Sequence, residues 1–188
     1  MIRTFIALDL PPAVQESLEH LSLDLQRAGA AVSWVKPGRI HVTVKFLGNV
    51  PTDRIDAISD ALLRSVAGTK PFRLRPAGCG AFPSMKKMRI VWVGLQGDLD
   101  PLKTLRRQVE DVMASLGFNR EDRAFKPHLT LGRVKGAKNI HALQEALLDR
   151  QGFQLEAFDV TEAVLYKSEL RPEGARYTPL FRAQFSPQ

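Results

Sequence analysis

The sequence predicts an α+β fold: two related lobes, each an antiparallel sheet with helices on its outer face, enclosing a cleft. Three observations predict it. Apolar segments of strand length are interleaved with runs of helical spacing. The segments come in a repeated order, each half reading strand, long helix, motif strand, loop, helix, strand. One four-residue pattern (His, apolar, Thr, apolar) occurs once in each half, at His41-Val42-Thr43-Val44 and His128-Leu129-Thr130-Leu131. A repeat of this length is too long for a solenoid unit. Two intertwined lobes, approximately 1–88 and 89–188, are therefore expected within one domain of 188 residues.

Each element follows from its residues. Thr4 to Leu10 reads as a strand, and Pro11-Pro12 ends it and opens a helix. Val14, Leu18, Leu21 and Leu25 recur at helical spacing, and Gly29 stops that helix. Val32 to Val35 is a short strand, and Ile40 to Leu47 is the first motif strand. Gly48 to Pro51 reads as a loop, after which Thr52 or Asp53 caps a helix running to Val66. Phe72 to Arg75 is a strand, Gly78 to Met88 a loop, and Arg89 to Leu95 a strand. A helix from Leu99 to Leu116 precedes the second motif strand, His128 to Val134. Ile140 to Leu148 is a helix and Phe153 to Phe158 a strand. Thr161 to Ser168 and Tyr177 to Phe185 form a hairpin around Glu169 to Arg176.

The net charge is +7 and the sequence pI about 9.9. The basic residues are dispersed, which points to a folded basic groove and a polyanionic partner such as RNA or DNA. No apolar run approaches membrane length, and the N-terminus lacks the layout of a signal peptide. The lone Cys79 reads as a small buried residue, and a single thiol suits a reducing cytoplasm. No Cys/His cluster has zinc spacing and no cofactor is implied. Without a coiled-coil seam, a monomer is expected.

The repeated motif carries the chemistry. Alternate side chains of a strand share a face, so each motif sets an imidazole beside a hydroxyl and turns its apolar residues to a core. Two such strands brought together put two imidazoles and two hydroxyls around one small space. One neutral and one protonated histidine can take a proton from a nucleophile and give one to a leaving group. Phosphodiester cleavage needs both, and the hydroxyls of Thr43 and Thr130 can donate to the non-bridging oxygens. No metal is required, and the pair lacks the carboxylates of a Mg²⁺ or Mn²⁺ site. The other two histidines, His20 and His141, lie outside any motif and read as ordinary helical residues.

With these residues the chain resembles the two-histidine phosphoesterases, and among them the bacterial and archaeal RNA 2′,3′-cyclic phosphodiesterases, first described as 2′-5′ RNA ligases. The likeness runs from Arg3-Thr4-Phe5-Ile6-Ala7-Leu8 through His41 to Gly48 and Pro127 to Arg133, then to Leu165 to Leu170 and Tyr177 to Leu180. It implies that His41 and His128 are the catalytic pair and that Thr43 and Thr130 bind the phosphate. It implies that Phe46 packs on the terminal base and that Arg133 contacts the phosphate. The last two stand five residues beyond their histidines. An odd offset puts them on the opposite strand face, so they serve the cleft only where the strand ends or bulges.

The implied reaction is metal-independent hydrolysis of a 2′,3′-cyclic phosphate at an RNA 3′ end, or on a small cyclic nucleotide, to a 2′-phosphomonoester. The resemblance favours His128 as base and His41 as acid; the near-symmetric repeat alone orders neither. Two alternatives accompany it. One is the reverse reaction, 2′-5′ ligation. The other is a non-catalytic RNA-binding module using Phe46, Trp34 and Phe82. Lys86 and Lys87 in the Gly78–Met88 loop suggest either a flap over the cleft or a solvated loop.

Overall fold

The computed structural model describes residues 1–172 and 174–186. Among the described residues, nine strands and four helices follow in the order β1(Ile2–Leu8) α1(Pro12–Gln26) β2(Val32–Trp34) β3(Val42–Val50) α2(Ile55–Val66) β4(Phe72–Ser84) β5(Lys87–Gly97) α3(Leu99–Ser115) β6(His128–Val134) α4(Ile140–Leu148) β7(Phe158–Val160) β8(Glu162–Glu169) β9(Arg176–Gln184). The fold is α+β, with every ladder antiparallel.

The strands form one sheet in the order β7-β4-β5-β6-β3-β1-β8-β9, with β2 added along β6. The ladder is continuous where two separate sheets were expected. It narrows to a single residue pair, Val42 with Leu129, between β3 and β6. Helices α2 and α3 pack together, α2 over β8 and β9 and α3 over β3, while α1 meets α4, which lies on β4. Both sets bury apolar stripes. Leu18, Leu21 and Leu25 of α1, Ile58 and Leu62 of α2, Leu102, Leu105, Val109 and Met113 of α3, and Leu143 and Leu147 of α4 are all buried. A fully buried leucine of this kind stabilises by about 1.5–3 kcal/mol.

Several boundaries differ from the sequence expectation. Gly78 to Met88 is not a loop: β4 runs to Ser84, β5 starts at Lys87, and only Met85 and Lys86 turn between them. The glycines serve packing. Gly80 lies under the Trp92 ring, where a Cβ would come within 2.4 Å, and Gly78, at φ +73°, sits in a bulge of the ladder. Lys86 is thus in a tight turn and Lys87 in a strand. β3 continues through Gly48 and Asn49, which pair with Thr4 and Arg3, so the expected loop there is strand. Thr52 and Asp53 form a 3₁₀ turn, and α2 begins at Ile55 with no side-chain cap.

Phe153 to Phe158 does not form the expected strand. Gln154 makes a lone bridge to Ala77, and the regular pairing starts at Phe158. Pro76 of β4 has no N–H to give the ladder there; its carbonyl accepts from Leu155 instead. The β8–β9 hairpin is as expected, Glu173 at its end lying outside the described residues.

Candidate active site

The two motifs meet at the narrow seam of the sheet. Val42 and Leu129 pair across it and are both fully buried. Their neighbours therefore emerge on the opposite face. Continuing the register by one residue each way sets His41 opposite Thr130 and Thr43 opposite His128. The two histidines become diagonal neighbours, a relation that puts Cα atoms about 7–8 Å apart. All four side chains belong to residues of intermediate burial, reachable from solvent yet walled by protein.

Both imidazoles are held in the same way. Nδ1 of His41 bonds the Arg39 carbonyl at 3.0 Å, and Nδ1 of His128 bonds the Lys126 carbonyl at 2.6 Å. A carbonyl only accepts, so Nδ1 carries the proton in each ring. Nε2 is then the titrating atom in both, and each ring has one orientation.

The odd offset of Phe46 and Arg133 is absorbed by one extra residue in each strand. In β3, Lys45 pairs with Ile6 but Thr43 with Ala7, so Val44 is the extra residue. Val44 and Lys45 are buried in succession, and Phe46 returns to the His41 face, 60 % exposed. In β6, Gly132 pairs with Val91 but Thr130 with Trp92, so Leu131 is extra. Leu131 and Gly132 are buried in succession, and Arg133 returns exposed. A bulge beside a site, re-aiming one side chain, is a common use of this irregularity.

Each bulge is secured differently. Lys45 turns inward, only 3 % exposed, and its ammonium donates to Glu110 at 2.6 Å and to the Asn119 carbonyl at 2.8 Å. The other Glu110 oxygen forms an ion pair with Arg106 at 3.4 Å. The Arg106 guanidinium lies 4.8 Å from the ring centre of Phe125, in the segment leading to His128. At the matching position of β6 stands Gly132, where a Cβ would meet Val32 at 2.6 Å and Trp34 at 3.1 Å. Side-chain absence there lets β2 pair closely.

The residues that surround His41 carry no motif of their own. Phe5 stacks on its ring at 4.9 Å, and Tyr177 meets it edge-on at 5.3 Å. Behind Phe5, Tyr166 stacks at 5.4 Å and donates its hydroxyl to Asp9 at 2.7 Å. Arg182 also reaches Asp9, at 3.3 Å. Phe82 braces His128 edge-on at 4.9 Å; it is a wall of the site, while Trp34 of β2 lies behind Gly132. Asp9, a lone acid at a strand end, carries no motif that could have marked it.

The electrostatics separate the two rings. Burial pushes both imidazoles below the ordinary histidine value, and for each the carbonyl bond pulls back upward. The nearby charges act oppositely: Asp9 favours protonated His41, and Arg133 favours neutral His128. A groove of about 670 Å³ opens beside His41, bordered by Asp9, Arg39, Tyr166 and Tyr177. His128 lies outside that groove, on the far side of the seam.

The chain matches the model of the 2′-5′ RNA ligase superfamily over residues 10–172. It is 32 % identical over 179 residues to the RNA 2′,3′-cyclic phosphodiesterase of Methanothermobacter thermautotrophicus, covering 95 % of this chain and 96 % of the relative. The RNA 2′,3′-cyclic phosphodiesterase of Thermotoga maritima is 31 % identical over 184 residues, covering 98 % and 96 %. Escherichia coli LigT complexed with 3′-AMP superposes with a TM-score of 0.78 at 28 % identity, covering 98 % of each chain. Such agreement over nearly the whole length leaves one conclusion: the chain belongs to the 2′-5′ RNA ligase superfamily.

Proposed function

We propose that this protein hydrolyses 2′,3′-cyclic phosphates at RNA 3′ ends to 2′-phosphomonoesters, with His128 as base and His41 as acid. The observation that carries the reading is the matched locking of both rings, which leaves two Nε2 atoms free to act on one phosphate. Neutral His128 takes a proton from water as the water oxygen bonds to phosphorus. The P–O3′ bond breaks on the opposite side, and protonated His41 gives its Nε2 proton to O3′. The product keeps the phosphate on O2′ and bears a free 3′-OH. Thr43 and Thr130 donate to the non-bridging oxygens, and Arg133 offsets their charge. The exposed Phe46 ring offers a stacking face to the terminal base. No step calls for a metal ion.

The order of roles is supported by the unlike charges, Asp9 near His41 and Arg133 near His128. The sheet order supports two related lobes, the halves 1–88 and 89–188 each giving strands to both. Outward from the seam, β3 is followed by β1 and β6 by β5, the same order of repeat-related strands. Every group the reaction uses comes from one chain, which suits a monomer. Among the described residues no helix is long and apolar enough to cross a membrane. A cytoplasmic setting suits the single cysteine, Cys79, which is buried.

The test is ³¹P NMR of a short RNA ending in a 2′,3′-cyclic phosphate, incubated with the protein in EDTA. A 2′-phosphomonoester is the expected product. A 3′-phosphate would reverse which oxygen leaves, and no turnover would defeat the reading.

A further inference from the structure

Some of the arginines that lack a carboxylate pair among the described residues gather on the histidine face. Arg73, Arg120, Arg123 and Arg182 each sit against a carboxylate. Arg3, Arg39 and Arg133 make no carboxylate pair among the described residues. These three come from β1, the segment before β3, and β6, yet the positive charge of each bears on one group, the Tyr177 hydroxyl of β9.

The backbone explains the convergence. Arg3 pairs with Ser168, and Ser168 with Tyr177, so the three form one row across β1, β8 and β9. Directly opposed residues of an antiparallel ladder point to the same face. Arg39 is tied two residues from Tyr177, its guanidinium donating to the Ala175 carbonyl. Arg133 is returned to this face by the β6 bulge. The Tyr177 ring in turn lies edge-on to His41 at 5.3 Å, and Arg39 and Tyr177 border the groove that opens from that histidine. Like charges gathered on one spot repel, and a bound anion relieves the repulsion. Guanidinium forks suit phosphate in particular.

We propose that Arg3, Arg39 and Tyr177, with Arg133 between the two sites, form a second phosphate subsite that holds the phosphate on the 5′ side of the terminal nucleotide. The proposal rests on the cyclic-phosphodiesterase reading. A strand ending in a cyclic phosphate has no 3′ continuation. Everything beyond its last nucleotide leaves through the 5′ carbon, and the groove beside His41 is the space for it. The protein is accordingly tuned to oligonucleotides over free cyclic nucleosides.

The test compares kcat/KM for three substrates: adenosine 2′,3′-cyclic phosphate, the same compound bearing a 5′-phosphate, and the dinucleotide ApA ending in a 2′,3′-cyclic phosphate. The dinucleotide is expected to exceed the bare nucleoside by about ten- to a hundredfold, the effect of charge-assisted bonds to one phosphate. A 5′-phosphate compound that gains as much would show that any phosphate ester fills the subsite; a gain with the dinucleotide alone would assign it to the internal diester. Arg3→Ala should cut the dinucleotide-to-nucleoside ratio at least about fivefold, and Arg3→Lys should restore part of it. A merely structural role for Arg3 would lower both substrates together and leave the ratio intact, which would overturn the assignment. Equal kcat/KM for all three substrates in the wild type would remove the subsite and leave the hydrolytic reading standing. No turnover of any substrate would remove both.

Discussion

The two motif strands, β3 and β6, share one backbone device and dress it differently. In each, a histidine bonds the carbonyl two residues before it, a threonine follows on the same face, and a bulge returns the fifth residue to that face. The differences begin in the bulge. Lys45 is tucked into a buried ion pair where β6 has Gly132, and the exposed Phe46 corresponds to Arg133. His41 is enclosed by Phe5 and Tyr177 with Asp9 nearby, whereas His128 has Phe82 at its edge and Arg133 as its charged neighbour. Equivalent geometry with unequal surroundings suits the proposed acid and base. The repeat supplies the pair, and the departures from repetition tell its members apart.

The largest effect should come from removing either imidazole. His41→Ala and His128→Ala are each expected to lower kcat at least about 10²-fold. The double variant should be little worse than the single ones, because the two groups act in one step. Full activity in either single variant would break the pairing of the two strands as a catalytic unit.

Next is the β3 bulge. Glu110→Ala leaves the Lys45 ammonium buried beside Arg106, and loss of one partner of a buried pair costs about 3–5 kcal/mol. Urea unfolding should record it, and Lys45→Met combined with Glu110→Leu should recover most of the loss. In β6 the parallel change is Gly132→Ala, whose Cβ must displace Val32 or Trp34; about 1–3 kcal/mol is expected from such overpacking. A neutral Gly132→Ala would mean that β2 yields easily and that the two bulges are not under comparable constraint.

The smallest effects sharpen the contrast between acid and base. With the proposed roles, activity needs His128 neutral and His41 protonated, so kcat/KM is expected to rise through the His128 value and fall through that of His41. Asp9→Asn removes a charge that raises the His41 value, so the alkaline limb should move to lower pH. Arg133→Gln removes a charge that lowers the His128 value, so the acid limb should move to higher pH. Each shift should stay within about one unit, the size of effect a charge without direct contact exerts in partly solvated surroundings. Movement of the opposite limb in either variant would exchange the two roles.

Local pattern and non-local packing divide what could be read in advance. The motifs, the helices α1 and α3, and the hairpin of β8 and β9 were legible because strand alternation and helical spacing depend on near neighbours. The glycines of Gly78–Met88 look like a loop until Trp92 is placed over Gly80. The β-propensity of Phe153 to Phe158 takes no account of a proline on the partner strand. His41, Thr43, His128 and Thr130 stand out as candidates by their repetition alone. Asp9, Tyr166 and Tyr177 were not legible as a wall of the site, for their meeting depends on β1, β8 and β9 lying side by side.

The two matching His and Thr pairs are visible in the chain alone, because a period of two is a local property and its repetition needs no fold to be seen. The facing of the motifs through Val42 and Leu129 and the return of Phe46 and Arg133 to the site arise in the folded sheet. It alone set Asp9 near one ring and Arg133 near the other. Register, bulges and through-space charge arise from contacts between residues far apart along the chain, and no local pattern encodes those.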